Sequence, residues 1–181
     1  MTLPKPVAQL WDDLQAVRAE ILAEVRALSQ RQSDWKPGDR EWSVGEVIHH
    51  LTVAEVNTGK LTTKLTKEAQ AAGAPARFPD DLTAFSPVPR GAAGRAEAPP
   101  MVWPDHGKPV GDLLDAITAT RERSRQSIDK LAACDPRALI FTHGRLGDLD
   151  LAQWWLLTAE HDRDHLAQIR SIKTAPGFPP S

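Results

Sequence analysis

His161 and His165 stand four residues apart in the run Thr158-Ala159-Glu160-His161-Asp162-Arg163-Asp164-His165-Leu166. Residues at i and i+4 are neighbours on one face of a helix, so these two imidazoles can converge on one ion. Stepping by threes and fours from Leu151 gives Trp154, Thr158, His161, His165, Gln168 and Ile172, which predicts a core-facing stripe carrying both rings. A third inward histidine comes from a distant segment. There Val47, Leu51 and Ala54 define an inner face and His50 borders it. His49 points about 100° further round, so His50 is preferred and His49 stays open as the alternative. Glu46, one turn before His50, could fix the tautomer of that ring from outside. A single inward histidine is ordinarily a hydrogen-bonded core residue, and an isolated H-x-x-x-H is weak evidence. Three together are harder to dismiss. Each ring buried without a partner costs roughly 1–3 kcal/mol, and one metal ion satisfies all three.

Three neutral imidazoles suit a divalent transition metal. Zinc comes first, with nickel, iron, cobalt or manganese as alternatives to it, ahead of magnesium or calcium. Three protein ligands leave a coordination position for water or substrate, as in catalytic sites, whereas structural zinc usually has four. Other reactive residues read more plainly. Cys134 lies at a predicted helix end with no basic residue in register, which suits a small inert thiol. His106 and His143, each followed by glycine, fall in predicted loops and read as solvated; His106 lies in a segment that could reach the site. Trp155 and Trp154 read as packing residues, with Trp154 able to wall a metal pocket. Arg121, Arg123 and Arg125 alternate with other residues and read as a solvated face.

Four amphipathic stretches must position these groups. The first runs from Pro6 to about Gln30, with Leu10, Leu14, Val17, Ile21, Val25 and Leu28 on one face. The second starts at Ser43, where Ser43 and Glu46 have the spacing of a capping box, and runs to about Ala71. The third covers about Val110 to Ala133. The fourth covers about Asp150 to Lys173, with Asp148 or Asp150 as cap. Between the second and third, residues 73–109 hold eight of the fifteen prolines and read as an irregular crossover arm. No stretch alternates as a strand does. Residues 176–181 read as a loose tail. The expected fold is all-α: a four-helix bundle spanning 1–181 as one domain, with a long crossover between helices two and three. That crossover lets helices two and three run parallel.

Composition narrows the function further. The 181 residues carry a formal net charge of -2, so no basic field favours nucleic acid. The one cysteine excludes an internal disulfide and a cysteine-rich metal site, and fits a cytoplasmic setting. No run approaches the ~20 apolar residues of a membrane helix, and the N-terminus lacks the apolar stretch of a secretory signal.

Trp42-Ser43-Val44-Gly45-Glu46-Val47-Ile48-His49-His50-Leu51 resembles the helix-two motif of the DinB-like (YfiT-like) superfamily, which opens with Trp-Ser and closes with His-Leu. His161-Asp162-Arg163-Asp164-His165-Leu166-Ala167-Gln168-Ile169 is similar to its second motif, H-x-x-x-H-x-x-Q-[IL]. Asp164 stands where many relatives have a further histidine, a departure that removes no ligand. The resemblance implies a bundle binding one divalent metal through His50, His161 and His165, often as a homodimer. It also implies a metal-dependent enzyme acting on a small molecule. Relatives include transferases that join a low-molecular-weight thiol to an electrophile, related isomerases and proteins proposed as hydrolases. The alternative is a non-catalytic, stress-related bundle whose histidine site is structural or vestigial. The sequence names no acid–base residue; Glu46 is no more than a candidate for that role.

Overall fold

A computed structural model of the chain describes residues 2–74, 77–79 and 99–180. Helix α1 spans Lys5–Val25, and its buried face is Val7, Leu10, Leu14, Val17, Ile21 and Val25. It stops short of the expected Gln30 because a local cap intervenes. The Ser29 side chain accepts from the Gln32 N–H, and the Gln32 amide oxygen accepts from the Ser29 N–H. This capping box starts the short helix α2, Gln30–Asp34. Helix α3 spans Val44–Ala71 and opens with the anticipated box between Ser43 and Glu46. Helix α4 spans Val110–Leu131, and α5 spans Leu151–Lys173 with Asp150 as its cap. The described part of the 73–109 arm contains only a turn of 3₁₀ helix at Pro100–Val102; residues 80–98 lie outside the described residues.

One expectation fails before α5. Strands β1 (Ile140–His143) and β2 (Gly147–Asp150) form an antiparallel hairpin, with Ile140 opposite Asp150. Strands of four residues, the first largely exposed and the second buried only at Leu149 and Asp150, show no alternation to read. Their turn closes through Gly147, whose φ of 75° a side chain would resist, and through His143 Nδ1, which accepts from the Arg145 and Leu146 N–H groups.

Side-chain pairings fix the directions of the long helices. Glu55 meets Arg121 and Thr63 meets Lys130, so α3 and α4 run parallel. Asp13 meets Arg163 and Glu24 meets Lys173, so α1 and α5 also run parallel. Thr62 receives the Trp155 indole N–H while Glu55 lies across from Asp162, which sets α3 against α5. The order is up, down, down, up. Parallel neighbours cannot be joined by a tight turn, which is the physical reason for the long crossover.

The bundle core has two apolar halves. One gathers Ile21, Ile48, Leu51, Ile117, Leu166 and Ile169 near the start of α3. The other gathers Leu10, Leu14, Ile128, Leu131, Leu151 and Trp155 at the opposite end. Between them each long helix contributes one buried charge: Arg18, Glu55, Arg121 and Asp162, all at most 4% exposed. Arg18 Nη2 lies 2.8 Å from Glu55 and 2.9 Å from Asp162. Arg121 lies 2.7 Å from Glu55 and 2.9 Å from Asp162. The guanidiniums also donate to the carbonyls of Ile117 and Leu14. Arg121 is therefore buried, contrary to its reading as part of a solvated face; Arg123 does lie exposed. Helical spacing cannot distinguish an arginine facing water from one facing two carboxylates.

The C-terminal tail is tied down rather than loose. Phe178 packs edge-on against Trp35 at 5.5 Å, and the Gln32 side chain donates to the Pro179 carbonyl at 3.1 Å. The layer formed by α2 rests on Gly45. A Cβ there would meet Ser33 Oγ at 2.7 Å, the Ser33 carbonyl at 3.2 Å and Leu113 Cδ1 at 3.3 Å. The hydroxyl can rotate away, but the carbonyl cannot. Gly45→Ala is expected to lower the unfolding free energy by about 1–3 kcal/mol, the usual range for overpacking. Urea denaturation should record it as a lower midpoint with an unchanged slope.

Candidate metal centre

His50 lies in the second turn of α3, and His161 and His165 lie one turn apart on α5. Because the two helices are antiparallel, the start of α3 faces the later half of α5. His50 Nε2 is 3.0 Å from His161 Nε2, and His165 Nε2 is 3.1 Å from the same atom. Among the described residues these three form the one group of potential ligands, with their nitrogens all within 4.8 Å of one another.

The outer nitrogens decide what that gathering means. His50 Nδ1 is 2.7 Å from the Val102 carbonyl, which can only accept, so Nδ1 carries the proton. His165 Nδ1 is 2.7 Å from Gln168 Oε1 and donates to it in the same way. Both rings therefore present bare lone pairs at Nε2, and both lone pairs face His161 Nε2. A proton on His161 could serve one of them, not both. A cation at the common point satisfies all three, so these residues fit a divalent ion held by neutral imidazoles.

Electrostatics agree. Burial pushes His50 down to about 4, against the pull of the Val102 carbonyl and with help from the neighbouring imidazoles. Burial lowers His161 well below the ordinary range, and it lowers His165 despite the Gln168 hydrogen bond. All three rings stay neutral near pH 7, the form that ligates metals.

The fully buried face of α5 is Trp155, Ala159, Asp162, Leu166 and Ile169. His161, His165 and Gln168 occupy the adjoining edge and are half-buried. The expected stripe is thus displaced sideways, which sets the cluster at the margin of the core. Trp42 forms its wall, with its ring 4.8 Å from His50 and stacked 6.1 Å from His165. Trp154 does not share that role. Its indole donates to the Phe141 carbonyl and its ring lies against His143, on the hairpin.

Other candidates are placed elsewhere. His49 points away from the cluster, and its Nδ1 accepts from the Asp105 N–H at 2.8 Å. Glu46 does not orient His50. Its carboxylate is committed to the Ser43 N–H and to Lys36 Nζ, both at 2.7 Å. The outer role expected of it falls to the Val102 carbonyl, which no side-chain pattern could reveal. His106 is half exposed and lies 3.7 Å from Glu46, not from the cluster. Burial, together with the Asp135 charge, pushes Cys134 up to about 11, so it is a thiol and no nucleophile at neutral pH.

Comparison with known proteins places the chain in a family. Residues 13–169 match the family described as the DinB superfamily. The chain belongs to that superfamily. It is similar to the uncharacterized protein YuaE of Bacillus subtilis (strain 168), at 25% identity over 157 residues, which cover 86% of this chain and 92% of that one. Two solved structures share the fold at a TM-score of 0.62. TT2238, described as a four-helix bundle protein, is 17% identical, with 91% of this chain and 98% of that chain covered. YfiT from Bacillus subtilis is described as a probable metal-dependent hydrolase with an unusual four-helix bundle topology. It is 18% identical, with 99% of this chain and 92% of that chain covered. At those identities the likeness concerns the fold. Among the described residues, no helix of this DinB protein is long and apolar enough to cross a membrane.

Proposed function

We propose that this DinB superfamily protein is a metal-dependent hydrolase of a small molecule, with His50, His161 and His165 holding one divalent ion, zinc first among candidates. The observation that carries this reading is the meeting of three imidazole Nε2 atoms, two of them stripped of protons by hydrogen bonds at Nδ1. The description of YfiT supports the hydrolytic direction. Held by His50, His161 and His165, such an ion would supply Lewis acidity for activating a nucleophile near neutral pH. The chain's own contribution is preorganisation. Val102 and Gln168 lock two rings in the ligating tautomer, and Trp42 walls the site beside two of them. No carboxylate joins the histidine group among the described residues, so proton transfer is not assigned to Glu46 or to another side chain.

The test begins with protein purified without added metal. A stoichiometric ion is expected, together with turnover of a panel of small esters and amides. Chelation should abolish turnover and zinc should restore it. A parallel panel of low-molecular-weight thiols with an alkylating electrophile separates thiol transfer from hydrolysis. Turnover only in that second panel would replace the hydrolase with a transferase on the same ligands. A tightly held ion with no turnover in either would favour the non-catalytic bundle.

A further inference from the structure

Two adjacent histidines open α3, and they face different ways. His50 turns toward the cluster, while His49 turns toward the chain entering from the arm. That chain, residues 102–105, lies across the first turns of α3. It is fastened at two points by the histidine pair: the Val102 carbonyl accepts from His50 Nδ1 at 2.7 Å, and the Asp105 N–H donates to His49 Nδ1 at 2.8 Å. Between them Trp103 stands edge-on to Trp42, the wall of the cluster, at 5.8 Å, and Pro104 is buried. Beyond them the Gln30 side chain holds the Lys108 carbonyl and the Val110 N–H.

Apolar burial fastens this segment only in part, at Pro104 and one side of Trp103. Trp103 is 50% exposed and the preceding Met101 74%. A short stretch with partial apolar burial and a few hydrogen bonds opens at lower cost than the helices do, so the loss of one bond matters. The Val102 carbonyl is also what keeps the His50 proton on Nδ1 and the lone pair on Nε2.

We propose that residues 102–105 form a strap whose docking completes the metal site, with His49 as its positioning residue: by accepting the Asp105 N–H, His49 seats the Val102 carbonyl on His50. This rests on the metal reading above. Docking and metal binding then strengthen each other by the same factor. An ion at Nε2 makes the Nδ1–H a better donor to Val102, and a seated Val102 makes Nε2 a better ligand.

The experiment measures zinc affinity by competition with a chromophoric chelator, for wild type, His49→Ala and His49→Asn. Amide exchange across residues 102–105 is followed with and without zinc. His49→Ala is expected to weaken zinc binding about tenfold, the low end of what loss of an outer partner costs, although His49 touches no ligand nitrogen. His49→Asn, whose Oδ1 can stand near the Nδ1 position, should recover most of the loss. Zinc should slow exchange of the Asp105 amide in wild type and not in His49→Ala. Equal affinity in wild type and His49→Ala, or Asp105 exchange indifferent to zinc in wild type, overturns the strap and leaves the three-histidine site standing. No stoichiometric zinc in wild type overturns both.

Discussion

Arg121→Met is expected to lower the unfolding free energy by about 3–5 kcal/mol, the largest stability loss foreseen for a single substitution in this chain. The methionine keeps most of the side-chain volume, so the loss measures charge and hydrogen bonding more than a cavity. Arg121 neutralises Glu55 and Asp162 together, at 2.7 and 2.9 Å, where all three residues are at most 4% exposed. Without it, Arg18 alone faces two buried carboxylates, and an uncompensated charge in the core is what makes such losses large. For a chain of this length the thermal midpoint should fall by about 6–20 °C, at roughly 2–4 °C per kcal/mol. Removing Glu55 and Arg121 together (Glu55→Gln with Arg121→Met) should cost much less than the sum of the two single changes. Additive losses would mean that the four charges do not act as a unit.

The same network carries a pH signature. Burial by itself would raise the Glu55 carboxyl, but the Arg18 and Arg121 guanidiniums outweigh it and hold Glu55 below the usual carboxylate range. An unfolded glutamate titrates near about 4.3. The stabilisation is therefore fully present above that pH and drains away as the pH falls through the lower folded value.

His161→Ala is expected to abolish stoichiometric metal binding. Its Nε2 is the atom that both other rings approach, at 3.0 and 3.1 Å, so its removal leaves two ligands and no centre. Elemental analysis of protein purified without added metal should fall from near one ion per chain to less than about a tenth, and saturating zinc should not restore it, whereas outer-partner substitutions cost roughly 10–100-fold in affinity and leave a site that can still be filled. His50→Ala and His165→Ala should behave alike. Gln168→Leu removes only the acceptor at His165 Nδ1, so it should fall within that outer-partner range while retaining an ion at saturating zinc. The metal-free variant should unfold no more readily than metal-free wild type, because the missing ring relieves a meeting of lone pairs. Full metal content in His161→Ala would remove the basis for the proposed function.

Much of this was legible in periodicity and caps. The Ser43–Glu46 box set the start of α3, Asp148 and Asp150 bracketed the start of α5, where the structure takes Asp150, and the i, i+4 spacing of His161 and His165 put both rings on one side of a helix. Proline density along 73–109 marked a long connection, and parallel α3 and α4 are what that connection makes possible. Local signals of this kind reach only a few residues along the chain. For that reason apolar spacing alone carries the first helix past Val25, where the Ser29–Gln32 box starts a new one, and a hairpin of four-residue strands leaves no periodic trace.

What the residues determined alone, then, were the helices, their caps and three histidines suited in type and spacing to one ion. Tertiary structure decided everything that depends on partners distant in the chain. It chose His50 over His49, because only the antiparallel approach of α5 shows which ring meets His161. It passed the outer role from Glu46 to the Val102 carbonyl, and it turned Arg121 from a surface arginine into a core ion. The physical reason is common to all three: a polar side chain obeys the helix period wherever it sits, but whether it meets water, a carboxylate or a carbonyl depends on what another segment brings to it.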